Sequence, residues 1–190
     1  TMSSIKLTAD SGGGTFEIKA PSSSGNTRVL TLPDTGNYIL GGRILQVVQA
    51  VKNDTFTTTN NTNNYIDIPS LSVAITPAST SNKVLIEAEI YNSNSNAVNF
   101  FRILRGSTFI NQPSSESSSG AGFDAHGFAY FDHSFQDTTV IKILDSPSTT
   151  SATTYKVQCA CTGTTLTVNK FYNTSNYHGI STLTAMEVAG

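Results

Sequence analysis

The sequence predicts an all-β protein, and three observations carry that prediction. Ser, Thr and Asn make up roughly a third of the 190 residues, whereas charged residues are only 13% against the ~25% of an average soluble domain. Apolar residues recur with a period of two in short runs bounded by Gly, Pro, Asn and Ser. No stretch of ten residues carries the 3.6-residue period of an amphipathic helix. A hydrophobic fraction of 37% and a formal net charge of −2 separate the chain from disordered sequences, which combine few large apolar residues with high net charge.

Two units follow from composition: an N-terminal segment at residues 1–42 and a head at residues 43–190. In the first, IKLT, TFEIK and TRVLTL read as short strands separated by SGGG, APSSSGN and PDTGN as turns. Each offers two or three apolar side chains, Phe16 with Ile18, or Val29, Leu30 and Leu32. A single copy buries too little to hold itself folded, because an isolated hairpin is marginal in water. The segment is therefore expected to become stable by association or docking. Gly41 and Gly42 read as a hinge.

In the head, RILQVVQAV is apolar on both faces and predicts a strand covered on both sides. TFTTTNNTNN reads as a polar turn. Pro69 makes YIDIPSLSVAIT an edge strand or two short strands, since proline cannot donate to a ladder. KVLIEAEIY alternates Val84, Ile86, Ala88 and Ile90 against Glu87 and Glu89. VNFFRILRG follows a short NSNSN turn and predicts a hairpin with it. FDAHGFAYFDHSF is aromatic on both faces, with Phe123, Phe131 and Phe135 on one and Phe128 and Tyr130 on the other. TTVIKILD, TYKVQCAC, TLTVNKFY and GISTLTAMEV complete eight to ten strands, spaced as in a sandwich or barrel. TYKVQCAC is expected to turn Tyr155, Val157, Cys159 and Cys161 inward.

Charge and hydropathy exclude several classes of partner. A pI near 5.8 with eleven scattered basic residues argues against binding a nucleic-acid backbone. No run approaches the ~20 apolar residues of a membrane-spanning helix, and no signal peptide is expected at the N-terminus.

Groups able to carry chemistry are few. His126, His133, Asp124 and Asp132 cluster in sequence, but strand parity separates His133 from the other three. A hydrogen-bonded or interface histidine is the better reading, with His178 isolated. Cys159 and Cys161 share a strand face about 6 to 7 Å apart along the chain, too far for a standard disulfide, and predict buried free thiols. Glu87 and Glu89 share an outward face, which suits solvated residues better than the facing carboxyls of a glycosidase. No GxSxG occurs, and no helix follows SGGG to cradle a phosphate. No catalytic, cofactor-binding or metal residue is assigned, and no cofactor is implied. Polar, aromatic-bearing loops such as NSNSN and FYNTSNYHG leave weak sugar binding open.

SSIKLTADSGGGTFEIKAPSSSGNTRVLTLPDTGNYIL resembles the N-terminal segment of tail-fibre and virion structural proteins of marine bacteriophages, cyanophages in particular. GGRILQVVQAVKNDTFTTT, SVAITPASTSNKVLIEAEI and HGISTLTAMEVAG resemble the globular module that follows it there. The resemblance implies an attachment segment and a jelly-roll-like antiparallel head in a homotrimer, placed in the virion after assembly in the host cytoplasm. Forty extended residues reach at most roughly 140 Å, which suits a short spike or fibre tip more than a long fibre. The implied partners are copies of the chain, other virion proteins through residues 1–42, and a host-surface glycan as a candidate ligand of the head. Phe101, Phe128 and Tyr130 are the candidate subunit interface; Phe16, Ile18, Val29, Leu30 and Leu32 belong to the candidate attachment segment. A decoration protein without receptor role is the main alternative, and a polysaccharide-degrading spike enzyme a further one.

Overall fold

The computed structural model of the chain describes residues 4–8, 15–19, 25, 44–59, 64–113, 124–131, 135–163, 165–174 and 176–190. The chain divides into two compact units, Thr1–Leu40 and Gly41–Gly190. In the first, β1 (Ser4–Thr8) and β2 (Thr15–Lys19) form an antiparallel pair that sets Ile5 opposite Ile18 and Leu7 opposite Phe16. The predicted strand TRVLTL, with Val29, Leu30 and Leu32, and the glycine pair at 41–42 lie outside the described residues.

The second unit is built from β3 (Ile44–Lys52), β4 (Phe56–Thr58), β5 (Ile66–Ile75), β6 (Lys83–Asn94), β7 (Ala97–Arg105), β8 (Thr108–Phe109), β9 (Gly127–Phe131), β10 (Phe135–Asp145), β11 (Thr153–Cys161), β12 (Leu166–Val168) and β13 (Ser181–Val188). All pairings are antiparallel. One sheet runs β10, β6, β13, β3. On the edge of β6 away from β10, β13 pairs with residues 83–89 and β12 with residues 92–93, and β4 lies beside β12. The other sheet runs β5, β11, β7, with β9 and β8 in succession along the far edge of β7.

The pairing is nested: β3 with β13, β5 with β11, β6 with β10, and β7 with β9. Successive pairs alternate between the sheets. A long antiparallel ribbon rolled up in this way is a jelly roll.

Period-two alternation supplies the core. Val84, Ile86, Ala88 and Ile90 of β6 are fully buried on the inner face, as the sequence predicts. With Leu183 and Ala185 of β13 they pack against Phe101 and Ile103 of β7 and Tyr155, Val157 and Cys159 of β11. Each valine, leucine, isoleucine and phenylalanine among them contributes about 1.5–3 kcal/mol by leaving water.

Four sequence expectations change. β3 is an outermost strand, and Ile44, Leu45, Val47 and Val51 are at least half exposed; Val48 and Ala50 pack partly buried against the core, and Lys52 of the same parity is buried. Apolar composition on both faces did not bring cover on both faces, because hydrophobic residues are not obliged to be inside. β6 and β7 do not form a hairpin: they belong to opposite sheets, so the chain crosses the sandwich at Ser95–Asn96. The NSNSN stretch is mostly not a surface turn, since Asn92, Ser93 and Asn94 are buried. Part of TFTTTNNTNN is strand β4.

Pro69 lies in β5, an edge strand as predicted, at a bulge. Gln158 of β11 faces Asp67 while Lys156 faces Ser72, and Ser70 takes a positive φ of 67°. The extra residues accommodate the missing proline donor.

The buried amides are satisfied in a chain. Asn94 Nδ2 donates to Asn99 Oδ1 (2.6 Å), Asn99 Nδ2 to Asn92 Oδ1 (2.9 Å), and Asn92 Nδ2 to Thr139 Oγ1 (3.0 Å). Nearby, Asn169 Nδ2 donates to the Lys52 and Asp54 carbonyls, while its Oδ1 accepts from Ser181 Oγ. These bonds tie β3 to β13 at one end of the sheet.

Candidate functional site

Strand parity on β7 and β9 defines the aromatic face. Their register sets Phe100 opposite Phe128 and Val98 opposite Tyr130. Phe128 is 69% and Tyr130 64% exposed, and the Phe100 and Phe128 rings lie 6.4 Å apart. Phe101 does not join them. It faces Gly127 across the ladder and is fully buried in the core, so the candidate interface loses Phe101 and gains Phe100. Adjacent residues of a strand point to opposite faces, and the FF pair divides accordingly. Gly127 sits tightly against β10: a Cβ there would stand about 3.0 Å from Thr139 Cγ2, so a larger residue fits only if that side chain gives way.

Next to this face stands a group that the sequence reading missed. The Arg102 guanidinium lies 3.9 Å from the Tyr65 ring centre and 5.3 Å from that of Phe109. Its Nε and Nη2 donate to Gln158 Oε1 at 2.9 and 2.7 Å, and Gln158 Nε2 donates to Asp67. Lys156 bridges the same carboxylate, and the neighbouring donors hold Asp67 below the usual carboxylate range despite the opposing cost of burial. Arg102 therefore packs as a flat plate over the outer sheet rather than reaching into solvent.

His126 is a hydrogen-bonded residue, as read from sequence. Its Nδ1 accepts from the Ile103 N–H (2.9 Å), which makes Nε2 the donor to the Ile110 carbonyl (2.7 Å). Burial lowers its pKa from the ordinary value, and the Arg102 charge adds to the effect. Asp124 accepts from Gln112; Asp132 and His133 lie outside the described residues. Among the described residues no group of three His, Cys, Asp or Glu is placed to hold a metal ion. Cys159 and Cys161 are buried free thiols, and loss of solvent pushes both pKa values up. Glu87 and Glu89 stand on one open sheet face, where Glu87 pairs with Lys142 at 3.2 Å.

That open face carries an aliphatic row across four strands. Register aligns Val47, Met186, Leu85 and Leu144, while Val51 and Val140 flank the neighbouring polar row of Gln49, Thr184, Glu87 and Lys142. At the end of the sandwich, an open depression of about 350 Å³ is lined by Arg105, Thr108, Phe109, Ile110, Asn111, Leu144, Asp145 and Ser146. Beneath it, Asp145 accepts from Arg105 Nη1 at 2.9 and 2.8 Å and from the Tyr155 hydroxyl at 2.6 Å.

No protein-family model and no curated protein matches the chain. Among solved structures, it is similar to a chain in the structure of infectious bursal disease virus, Gt strain, with 12% identity, a TM-score of 0.43, and cover of 94% of this chain and 48% of that one. The VP2 subviral particle of the same virus gives 12%, 0.39, and cover of 93% and 47%. The tripod from the baseplate of bacteriophage Tuc2009 gives 8%, 0.36, and cover of 91% and 84%. The chain thus spans less than half the length of the bursal disease virus chains it matches.

Proposed function

We propose that this chain is a non-enzymatic virion structural protein. It is a short homotrimeric spike or fibre tip in which residues 1–42 attach to the particle and the jelly roll is the presented head. The observation that carries the reading is the aromatic face of Phe128 and Tyr130 with Phe100 beside them. Exposed rings side by side are a liability for a lone soluble domain and an asset when a second copy covers them. The resemblance of the N-terminal phrases to phage attachment segments supports the virion setting.

The native mass of the purified chain tests the assembly. Three times the 20.2 kDa of one chain is expected by light scattering, and a monomer would remove the trimer from the reading. Deleting residues 1–42 tests attachment: the head should stay folded while incorporation into particles is lost. Undiminished incorporation would overturn the attachment role.

A further inference from the structure

We propose that the depression between the β7–β8 turn and the end of β10 is a carbohydrate site that accepts one neutral pyranose unit of a surface polysaccharide. The inference rests on the reading of the head as the presented unit and names the ligand class of that head.

Three features of the site point to a sugar. Its volume, about 350 Å³, is at the small end of the ~300–1,000 Å³ typical of small-molecule sites, and the depression is open enough to receive an internal unit of a longer chain. Its wall combines the Phe109 ring and Leu144 with polar groups of Thr108, Asn111 and Ser146. A pyranose has the matching duality, an apolar C–H face and a rim of hydroxyls.

Most telling is Arg105. Its Nη1 is committed to both oxygens of Asp145 and to the Ser146 carbonyl, which anchors one end of the guanidinium. Among the described residues, Nη2 and Nε have no such commitment. The side chain retains 31% exposure and lines the depression, so Arg105 is the cationic donor group of its wall.

The charge pattern selects against an acid. Asp145 neutralises Arg105 at close range, and its carboxylate is itself held by Tyr155, so the pair offers an incoming anion no net positive charge. A neutral hydroxyl can accept from the guanidinium without needing a net positive charge to draw it in. Binding through one shallow site is expected to be weak, with useful avidity arising from several heads on one particle.

The test is saturation-transfer NMR on the full chain with methyl glycosides of glucose, galactose and N-acetylglucosamine, and with glucuronate as the anionic comparator, all at millimolar concentration. Transfer to at least one neutral glycoside is expected. In Phe109→Ala, and in Arg105→Lys, which keeps the ion pair but removes the guanidinium fork, affinity should fall by about tenfold or more. Melting curves check that each variant is folded; if Phe109→Ala fails, Arg105→Lys carries the comparison. Absence of transfer to every neutral glycoside would overturn the proposal, as would transfer to glucuronate alone or equal transfer in the folded variants. Either result leaves the native mass and particle incorporation untouched, so failure of the site is distinguishable from failure of the virion reading.

Discussion

His126 fastens three stretches of backbone at once: its own N–H donates to the Phe101 carbonyl, and its ring bridges Ile103 and Ile110. The ring does this as the neutral tautomer, since a proton on Nδ1 would face the Ile103 N–H with nothing to accept it. Its folded pKa lies below the ordinary 6.5, so the unfolded chain takes up the proton first as pH falls. The stabilisation is complete above pH 6.5 and is lost as pH drops through that value toward the folded pKa. Urea midpoints measured from pH 7.5 down to pH 5 should therefore fall more steeply for the natural chain than for His126→Gln. Parallel curves would refute the assignment.

Tyr155→Phe removes a donor from the buried Asp145 carboxylate and should cost about 1.5–3 kcal/mol in urea unfolding. The Phe100 and Phe101 parity shows what could have been read at this scale. Arg102 marks the outer face of β7, and Phe100 shares its parity, so a charged residue two places on held the signal. Nothing comparable marked Asn92 and Asn94 as buried, because their partners Asn99 and Thr139 come from other strands.

At the level of elements, alternation was legible wherever one face carried acids or amides. β6 is the clearest case, with its valine and isoleucines inside and Glu87 and Glu89 outside. It failed on β3, whose two apolar faces gave no clue to which was covered. That is settled by the ladder with β13, where the buried Leu183 and Ala185 stand opposite Ala50 and Val48. The contrast is measurable. Leu183→Ala, in the core on β13, should cost about 2–5 kcal/mol. Val47→Thr, on the open face of β3, should stay within about 0.5 kcal/mol. A loss at Val47 as large as that at Leu183 would mean the open face is covered in solution.

For the whole molecule, the all-β class and a sandwich or barrel could be read from composition and turn spacing, and the jelly-roll-like antiparallel head was implied by the resemblance, but the strand order could not be read. Short turns suggest neighbours in space, yet the β6–β7 connection crosses between sheets, and the partner of each strand is fixed by distant residues. The assembly prediction belongs at this scale. Phe128→Asp or Tyr130→Asp should give monomers or insoluble protein, read by light scattering, and a soluble variant of trimer mass would refute the aromatic seam.

The nested pairing also dictates an order of events during synthesis. β13 sits between β3 and β6, so the first sheet stays split until residues 181–188 have left the ribosome. β3 waits meanwhile with four half-exposed aliphatic side chains and no ladder partner. Contacts so distant in sequence form slowly, and unpaired strand edges invite pairing with other nascent chains. Yield in a foreign host should accordingly be limited by the handling of incomplete chains, and slower translation would prolong the exposure of β3.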